Sequence, residues 1–265
     1  MKKSFKPLRD MLRRAYPDFS SDAILSLVLS GCVRVDGETV RDPRQLVNSG
    51  ATLEIEEGRT TVSRGIEKLL PILRAWRIEA EGKVFLDVGC ANGGFTQALL
   101  THGARLVHAV DVGYNLLDYR LRQDERVRVH ERTNIMTSEP TLFSPPAQSA
   151  VVDLSFRSLV GACSHILELV SEGGMICLVK PQFEWRHPSP DFEGVIRDEK
   201  ILREVLTDVV ERLRREACFV HRMAPSPLRG RKGNREFFFL VDRRPGASRG
   251  KTSAWIDRVV SEGTA

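Results

Sequence analysis

The sequence predicts an α/β protein: a Rossmann-like, doubly wound sheet of seven strands with its last strand antiparallel, preceded by a small α+β unit. Three observations carry this prediction. Five apolar runs, KVFLDV (83–88), RLVHAVDV (105–112), VRVHE (127–131), SAVVDLS (149–155) and GMICLVK (174–180), recur about every 20–25 residues, with helical stretches such as GFTQALLTHG and RSLVGACSHILELV between most of them. Two further runs, CFVHRMA (218–224) and REFFFLVD (235–242), lie too close together for a crossover helix, so the second must reverse direction. Ahead of residue 60 the pattern changes to short helices and short strands.

Residues 1–57 form the predicted first unit. PLRDMLRRAYP and SSDAILSLVLSG read as two helices, the second opened by Ser and Asp caps. GCVRVDGETV carries Cys32, Val33 and Val35 around an Asp36-Gly37 hairpin signal, and ATLEIEE alternates Leu53 and Ile55 with acids. So short a stretch buries little, which makes it an appended module. Residues 58–62 suit a linker. Residues 63–243 make the main domain: SRGIEKLLPIL is a helix ahead of the first strand, and 198–216 is a long helix before the last strand pair. Residues 244–265, opening PGASRG, read as a flexible tail with at most a turn or two of helix.

At 265 residues, 42% hydrophobic and 28% charged, the chain can bury one substantial core. MKKSFKPLRD is basic but runs into charge rather than an apolar segment, and no apolar stretch approaches the ~18 residues of a membrane span. Cys32, Cys90, Cys163, Cys177 and Cys218 are scattered singly, without metal-site spacing. These features predict a cytoplasmic protein with neither a metal nor a membrane partner. The net charge of +5 is mild, but its distribution is uneven: Lys3, Lys6, Arg13 and Arg14 fall in one basic run and Arg229, Arg231, Lys232 and Arg235 in another.

The stretch DVGCANGGF (87–95) follows the first main strand. In a doubly wound sheet that loop faces the ligand crevice, and Gly89, Gly93 and Gly94 let backbone approach a ligand. Asp111, at the end of the next strand, suits the two hydroxyls of a ribose. The GxxxGG spacing is not the GxGxxG of dinucleotide binding, and Asp87 would repel a pyrophosphate while suiting a cationic cofactor such as S-adenosylmethionine. Asp153 and Lys180 end the fourth and fifth strands, Lys68 lies in the helix before the first, and Glu236 begins the last. Two lysines and two carboxylates meeting there could orient and deprotonate a hydroxyl.

VSRGIEKL (62–69), DVGCANGGFT (87–96), DVGY (111–114), ERTN (131–134), DLSF (153–156), VKPQFE (179–184) and SPLRGRKGNREFF (226–238) resemble, in order, the motifs of the TlyA, or hemolysin A, family of FtsJ-like methyltransferases. The resemblance implies a methyltransferase sheet and methyl transfer from S-adenosylmethionine to a cytidine ribose 2′-hydroxyl in ribosomal RNA or ribosomal subunits. It implies a catalytic tetrad of Lys68, Asp153, Lys180 and Glu236. It places the cofactor on Asp87, Gly89, Cys90, Asn92, Gly93, Gly94, Phe95, Asp111, Val112, Asn134 and Asp153. The first unit is similar to a small RNA-binding domain of that family, which with Arg64 and the two basic runs gives the RNA-binding candidates. Ile66 and Ala91 depart from the family pattern at a usual glycine and a frequent serine, and FSSDAI lacks the Ser-Arg pair of the second helix. A nicotinamide-dependent oxidoreductase and a non-enzymatic, membrane-active or RNA-binding protein are the alternatives.

Overall fold

The computed structural model describes residues 4–55, 63–155, 157–188, 190–245 and 249–262. The expected linker at 58–62 lies outside them.

The first unit contains β1 (Phe5–Pro7), α1 (Leu8–Ala15), α2 (Ser21–Ser30), β2 (Val33–Val35), β3 (Glu38–Val40), β4 (Leu46–Asn48) and β5 (Leu53–Ile55). Ser20 caps α2 by accepting the Ala23 amide at 3.1 Å. Asp36 and Gly37, both at positive φ, turn the β2–β3 hairpin, which pairs on with β5. Strands β1 and β4 form a separate antiparallel pair. Leu8, Leu12, Ile24, Val28 and Val33 close a small core of their own.

The main unit runs α3 (Ser63–Trp76), β6 (Val84–Val88), α4 (Gly94–Thr101), β7 (Leu106–Val110), α5 (Tyr119–Gln123), β8 (Val127–His130), β9 (Ser149–Val152), α6 (Cys163–Glu168), β10 (Gly174–Val179), α7 (Pro181–Glu184), α8 (Glu199–Arg215), β11 (Phe219–Pro225), β12 (Phe237–Asp242) and α9 (Arg249–Glu262). Its seven strands are ordered β11-β12-β10-β9-β6-β7-β8. Pairing is parallel from β10 to β8, and β12 is antiparallel to both neighbours, as the short 225–236 connection requires. The chain leaves β6 toward β7 and β8, then returns to lay β9 on the other side. That reversal opens a crevice beyond the carboxyl ends of β6 and β9.

Both faces of the sheet are covered. Leu69, Leu73 and Leu99 of α3 and α4 pack with Phe85 and Phe238 on one face. On the other, Leu202, Val205, Leu206, Val209 and Leu213 of α8 pack against Leu86, Val152 and Phe239. No helix among the described residues is long and apolar enough to cross a membrane.

The expected flexible tail is instead largely helical. Ile256, Val259 and Val260 of α9 are buried in the core shared with α8 and β11. Their spacing at i, i+3 and i+4 is an apolar stripe, and docking it removes enough hydrophobic surface from water to hold the segment.

Two histidines link β7 to β8. His108 Nδ1 lies 3.0 Å from His130 Nε2, and His108 Nε2 lies 2.8 Å from the Pro145 carbonyl oxygen. A carbonyl only accepts, so His108 carries its proton on Nε2, and His130 Nε2–H donates to His108 Nδ1. Burial lowers both pKa values from the ordinary 6.5, that of His130 to about 4, with His108 adding to the effect there. The unfolded chain therefore binds more protons than the folded one between about pH 4 and 6.5. The stabilisation is complete above that window and is lost as pH falls through it. Buried Asp87, its pKa raised to about 7, acts in the opposite sense over the same range, so the prediction is a difference: from pH 7 to pH 5 the urea midpoint of His130→Gln should fall less, or rise more, than that of the parent. An identical pH dependence in the variant would remove the pair from the account.

Candidate active site

The glycine loop is pressed onto its neighbours. Gly89, at the carboxyl end of β6, has φ +80°, and a Cβ there would collide with the Asp153 carbonyl oxygen, so only glycine lets the loop lie against the exit of β9. At the start of α4 a second close approach fixes a helix. A Cβ on Gly65 would fall 2.6 Å from Gly94 Cα, and a Cβ on Gly94 would fall 2.6 Å from Gly65 Cα. Helix α3 therefore crosses the amino end of α4 at backbone contact, and Lys68 follows one turn after Gly65 on the same face.

Asp87 is fully buried near the end of β6. Its Oδ2 accepts the Thr96 hydroxyl at 2.6 Å, while its buried Oδ1 has no hydrogen-bond partner among the described residues. Burial pushes the carboxyl up to about 7; the Thr96 hydrogen bond opposes the shift, and the Asp153 charge adds to it. Asp111 clamps two loops together. Its Oδ2 accepts the Ala91 amide at 2.9 Å and its Oδ1 the Gly113 amide at 2.7 Å, and each oxygen keeps a second lone pair.

The other expected cofactor residues divide. Val112 is 71% exposed beside Asp111, and Asn92 is half-buried with its carbonyl accepting the Asp118 amide at 3.2 Å. Asn134 is exposed, and its Oδ1 accepts the Met136 amide at 3.1 Å, capping a short 3-10 turn. Two of the candidates have side chains that lie in the core, leaving their backbone in the loop. Phe95 packs its ring on Phe238 in the core, with centroids 5.9 Å apart, and the Cys90 thiol is buried, which raises its pKa. Both sit in the right motif, but their apolar character takes them inward.

Strand register brings the tetrad candidates to one edge. The β10–β12 pairing runs to Val179 opposite Phe237, so the same register carried one residue further sets Lys180 opposite Glu236. The β9–β10 offset sets Ser155 level with Lys180. Lys180 Nζ lies 2.5 Å from Asp153 Oδ1 and donates to Ser155 Oγ at 3.1 Å. Lys68 Nζ donates to Glu236 Oε2 at 2.6 Å, in a pair whose side chains are 11% and 4% exposed. Gly230 lies directly against the Glu236 carboxylate, leaving no room for a side chain. The four groups thus form two lysine–carboxylate pairs at the carboxyl ends of β9 and β10, the amino end of β12 and the first turns of α3.

The basic candidates also divide. Lys3 lies outside the described residues. Lys6 is half-buried in β1, while Arg13 and Arg14 are exposed in the last turn of α1. Arg64 is exposed, and its guanidinium donates to the Arg229 carbonyl at 2.5 Å, tying α3 to the basic loop. Arg229 and Lys232 are exposed, and Arg231 opens the 3-10 turn Arg231–Gly233. Arg235 departs from expectation. Only 10% exposed, it donates to the carbonyls of Val259 (3.1 Å) and Val260 (2.5 Å), lies 3.7 Å from Glu199 and stands over the Phe237 ring. It holds α9 to the sheet, because a guanidinium satisfies several helix-end carbonyls at once.

A family model described as FtsJ-like methyltransferase matches residues 61–243. The chain belongs to the FtsJ-like methyltransferase family. Among curated relatives, the 16S/23S rRNA (cytidine-2′-O)-methyltransferase TlyA of Mycobacterium tuberculosis is 35% identical over 243 residues, 89% of this chain and 90% of that protein. Hemolysin A of Brachyspira hyodysenteriae is 36% identical over 213 residues, 80% of this chain and 89% of that protein. A solved Streptococcus thermophilus structure provisionally named a hemolysin superposes with a TM-score of 0.69 at 28% identity, covering 99% of this chain and 98% of that one. The FtsJ-like family match runs from α3 through β12 and so contains all four tetrad candidates.

Sequence reading missed Thr96, Ser155, Gly65 and Gly230. Thr96 sits inside the glycine motif, and its hydroxyl one turn into α4 was the available signal. The contacts of the other three depend on register and helix crossing. The Lys68–Glu236 pair yields the site's stability prediction. Lys68→Met strands a buried carboxylate and should cost about 3–5 kcal/mol in chemical denaturation, and adding Glu236→Gln should recover much of it. Additive losses in the double variant would show that the two groups are not energetically paired.

Proposed function

We propose that this chain transfers a methyl group from S-adenosylmethionine to the ribose 2′-hydroxyl of a cytidine in ribosomal RNA. The observation that carries the reading is two lysine–carboxylate pairs, Lys180–Asp153 and Lys68–Glu236, at neighbouring strand ends beside the glycine loop. The printed function of the Mycobacterium tuberculosis relative supports the same acceptor.

The residues present suit the cofactor. The unmatched Asp87 Oδ1 is a buried acceptor for a cationic group, Asp111 has lone pairs left for two ribose hydroxyls, and the glycine loop offers backbone contact. A pyrophosphate would instead meet two carboxylates, which disfavours a nicotinamide dinucleotide. Bound there, S-adenosylmethionine supplies a methyl group already activated on a sulfonium.

The chain's own work is on the acceptor. Lys180, held by Asp153, would orient the 2′-hydroxyl, whose proton would pass to the Lys180–Asp153 pair as the methyl group is transferred. Asp153 and Ser155 fix the lysine's direction. Lys68 and Glu236 form a fixed second wall, so the hydroxyl is held in line rather than sampled by diffusion. Lys180→Ala should lower methyl transfer to ribosomal RNA by about 10²–10⁴-fold. Calorimetric titration should find S-adenosylmethionine binding unchanged. Undiminished transfer by the variant would end this mechanism.

Exposed Arg13, Arg14, Arg64, Arg229 and Lys232 serve as phosphate ligands, which hold the RNA without reading its sequence. Replacing Arg64, Arg229 and Lys232 by Gln should flatten the dependence of log K on log salt by about 0.7–0.9 for each phosphate no longer neutralised, with cofactor affinity intact. A slope equal to that of the parent protein would remove this loop from the interface.

A further inference from the structure

Glu184 ends the VKPQFE segment and is 4% exposed, although it is a carboxylate outside the tetrad. A buried carboxylate persists when its oxygens are fully engaged, and these are. Oε1 accepts the Leu159 amide at 2.7 Å. Oε2 accepts the Ser158 hydroxyl at 2.5 Å and faces the Arg212 guanidinium at 3.4 Å. Arg212 also donates to the Glu184 carbonyl at 3.4 Å and pairs with Asp208 at 2.8 Å, so α8 backs the whole assembly.

These bonds join two particular segments. Ser158 and Leu159 belong to the loop leaving β9, which carries Asp153 and Ser155. Glu184 belongs to α7, which begins immediately after Lys180. Lys180 reaches the start of the loop at Ser155, the Gly161 amide donates to Glu216 at its far end, and the Glu184 carboxylate ties its middle to the Lys180 turn. The two segments also line one cavity together, the first through Leu154, Arg157 and Leu159 and the second through Lys180, Phe183 and Glu184.

We infer that Glu184 is a positioning residue for methyl transfer: it sets the separation of the Asp153 loop from the Lys180 turn, and so the aim of the Lys180 amine. This rests on the acceptor chemistry proposed above. The glycine loop and Asp111 hang from β6 and β7 and, among the described residues, share no hydrogen bond with Glu184. Asp153, against which Gly89 rests, is itself held to β6 by its amide donating to the Val88 carbonyl at 2.9 Å, so cofactor affinity is expected to be independent of Glu184.

Three variants test the inference in the full-length chain. Glu184→Ala removes the tie, and Ser158→Ala removes one strand of it without burying a new group. Glu184→Gln keeps it, because the amide oxygen accepts from Leu159 and the amide nitrogen donates to Ser158 Oγ, while Arg212 retains Asp208. Misplacing a reacting group by about 1 Å costs on the order of 100-fold. We expect kcat for transfer to ribosomal RNA to fall about 10–100-fold in Glu184→Ala and by a smaller factor in Ser158→Ala. Glu184→Gln should stay near the parent value, and calorimetry should give the same S-adenosylmethionine Kd throughout.

Amide hydrogen exchange supplies a readout free of activity. In Glu184→Ala, exchange should quicken in 154–160 and 180–185 but not in 87–96. Parental kcat in a folded Glu184→Ala, an equal loss in Glu184→Gln, a weakened cofactor Kd, or unchanged exchange in 154–160 would each overturn the inference. A parent protein that methylates no ribosomal RNA would overturn the function proposed above, and the exchange data would still decide the role of the tie.

Discussion

The backbone contact between Gly65 and Gly94 sets the distance on which the rest of the crevice depends. Helix α3 precedes the sheet in sequence and has no register to place it, yet it must deliver Lys68 to a carboxylate on the far strand β12. Direct contact of two glycines seats its first turn against α4, and α4 is itself fixed by β6 and the loop before it. A methyl group at either position would separate the helices. Lys68 would then leave Glu236, 168 residues away in sequence, with a buried charge and no counter-ion.

From that seat outward, the site is built by coupling loops rather than by long-range charge. Asp111 clamps the loops after β6 and β7, Glu184 ties the loops after β9 and β10, and Arg64 fastens α3 to the loop before β12. Each clamp joins segments that a doubly wound sheet leaves separate at its carboxyl edge. The two lysines are therefore held by the connections, while the sheet supplies only their level.

The seven strands were legible because each is an apolar run bounded by polar or glycine residues, and the direction of β12 followed from its short approach. Strands β1 and β4, of three residues each, carry no period to read. The docked α9 was hidden by a composition that opens like a linker, although its 256, 259, 260 stripe was present. For the site, Asp153 and Lys180 could be found from their places at strand ends. Their partners could not, since Ser155, Glu184 and Gly230 act through register and folding-back of loops. Phe95 and Arg235 mark the opposite failure: motif membership and charge give a residue's chemistry but not the direction in which its side chain leaves the backbone. Phe95 goes into the core, and Arg235 goes to the end of a helix of which the sequence had suggested no more than a turn or two.

Burial pushes the Asp87 carboxyl up to about 7, which makes the charge at the floor of the crevice responsive to its surroundings. Carrying a proton, it spares the folded chain an unbalanced negative charge beneath a closed loop. A cation placed beside it would make the ionised form the cheaper one, so taking up positive charge there is coupled to releasing a proton.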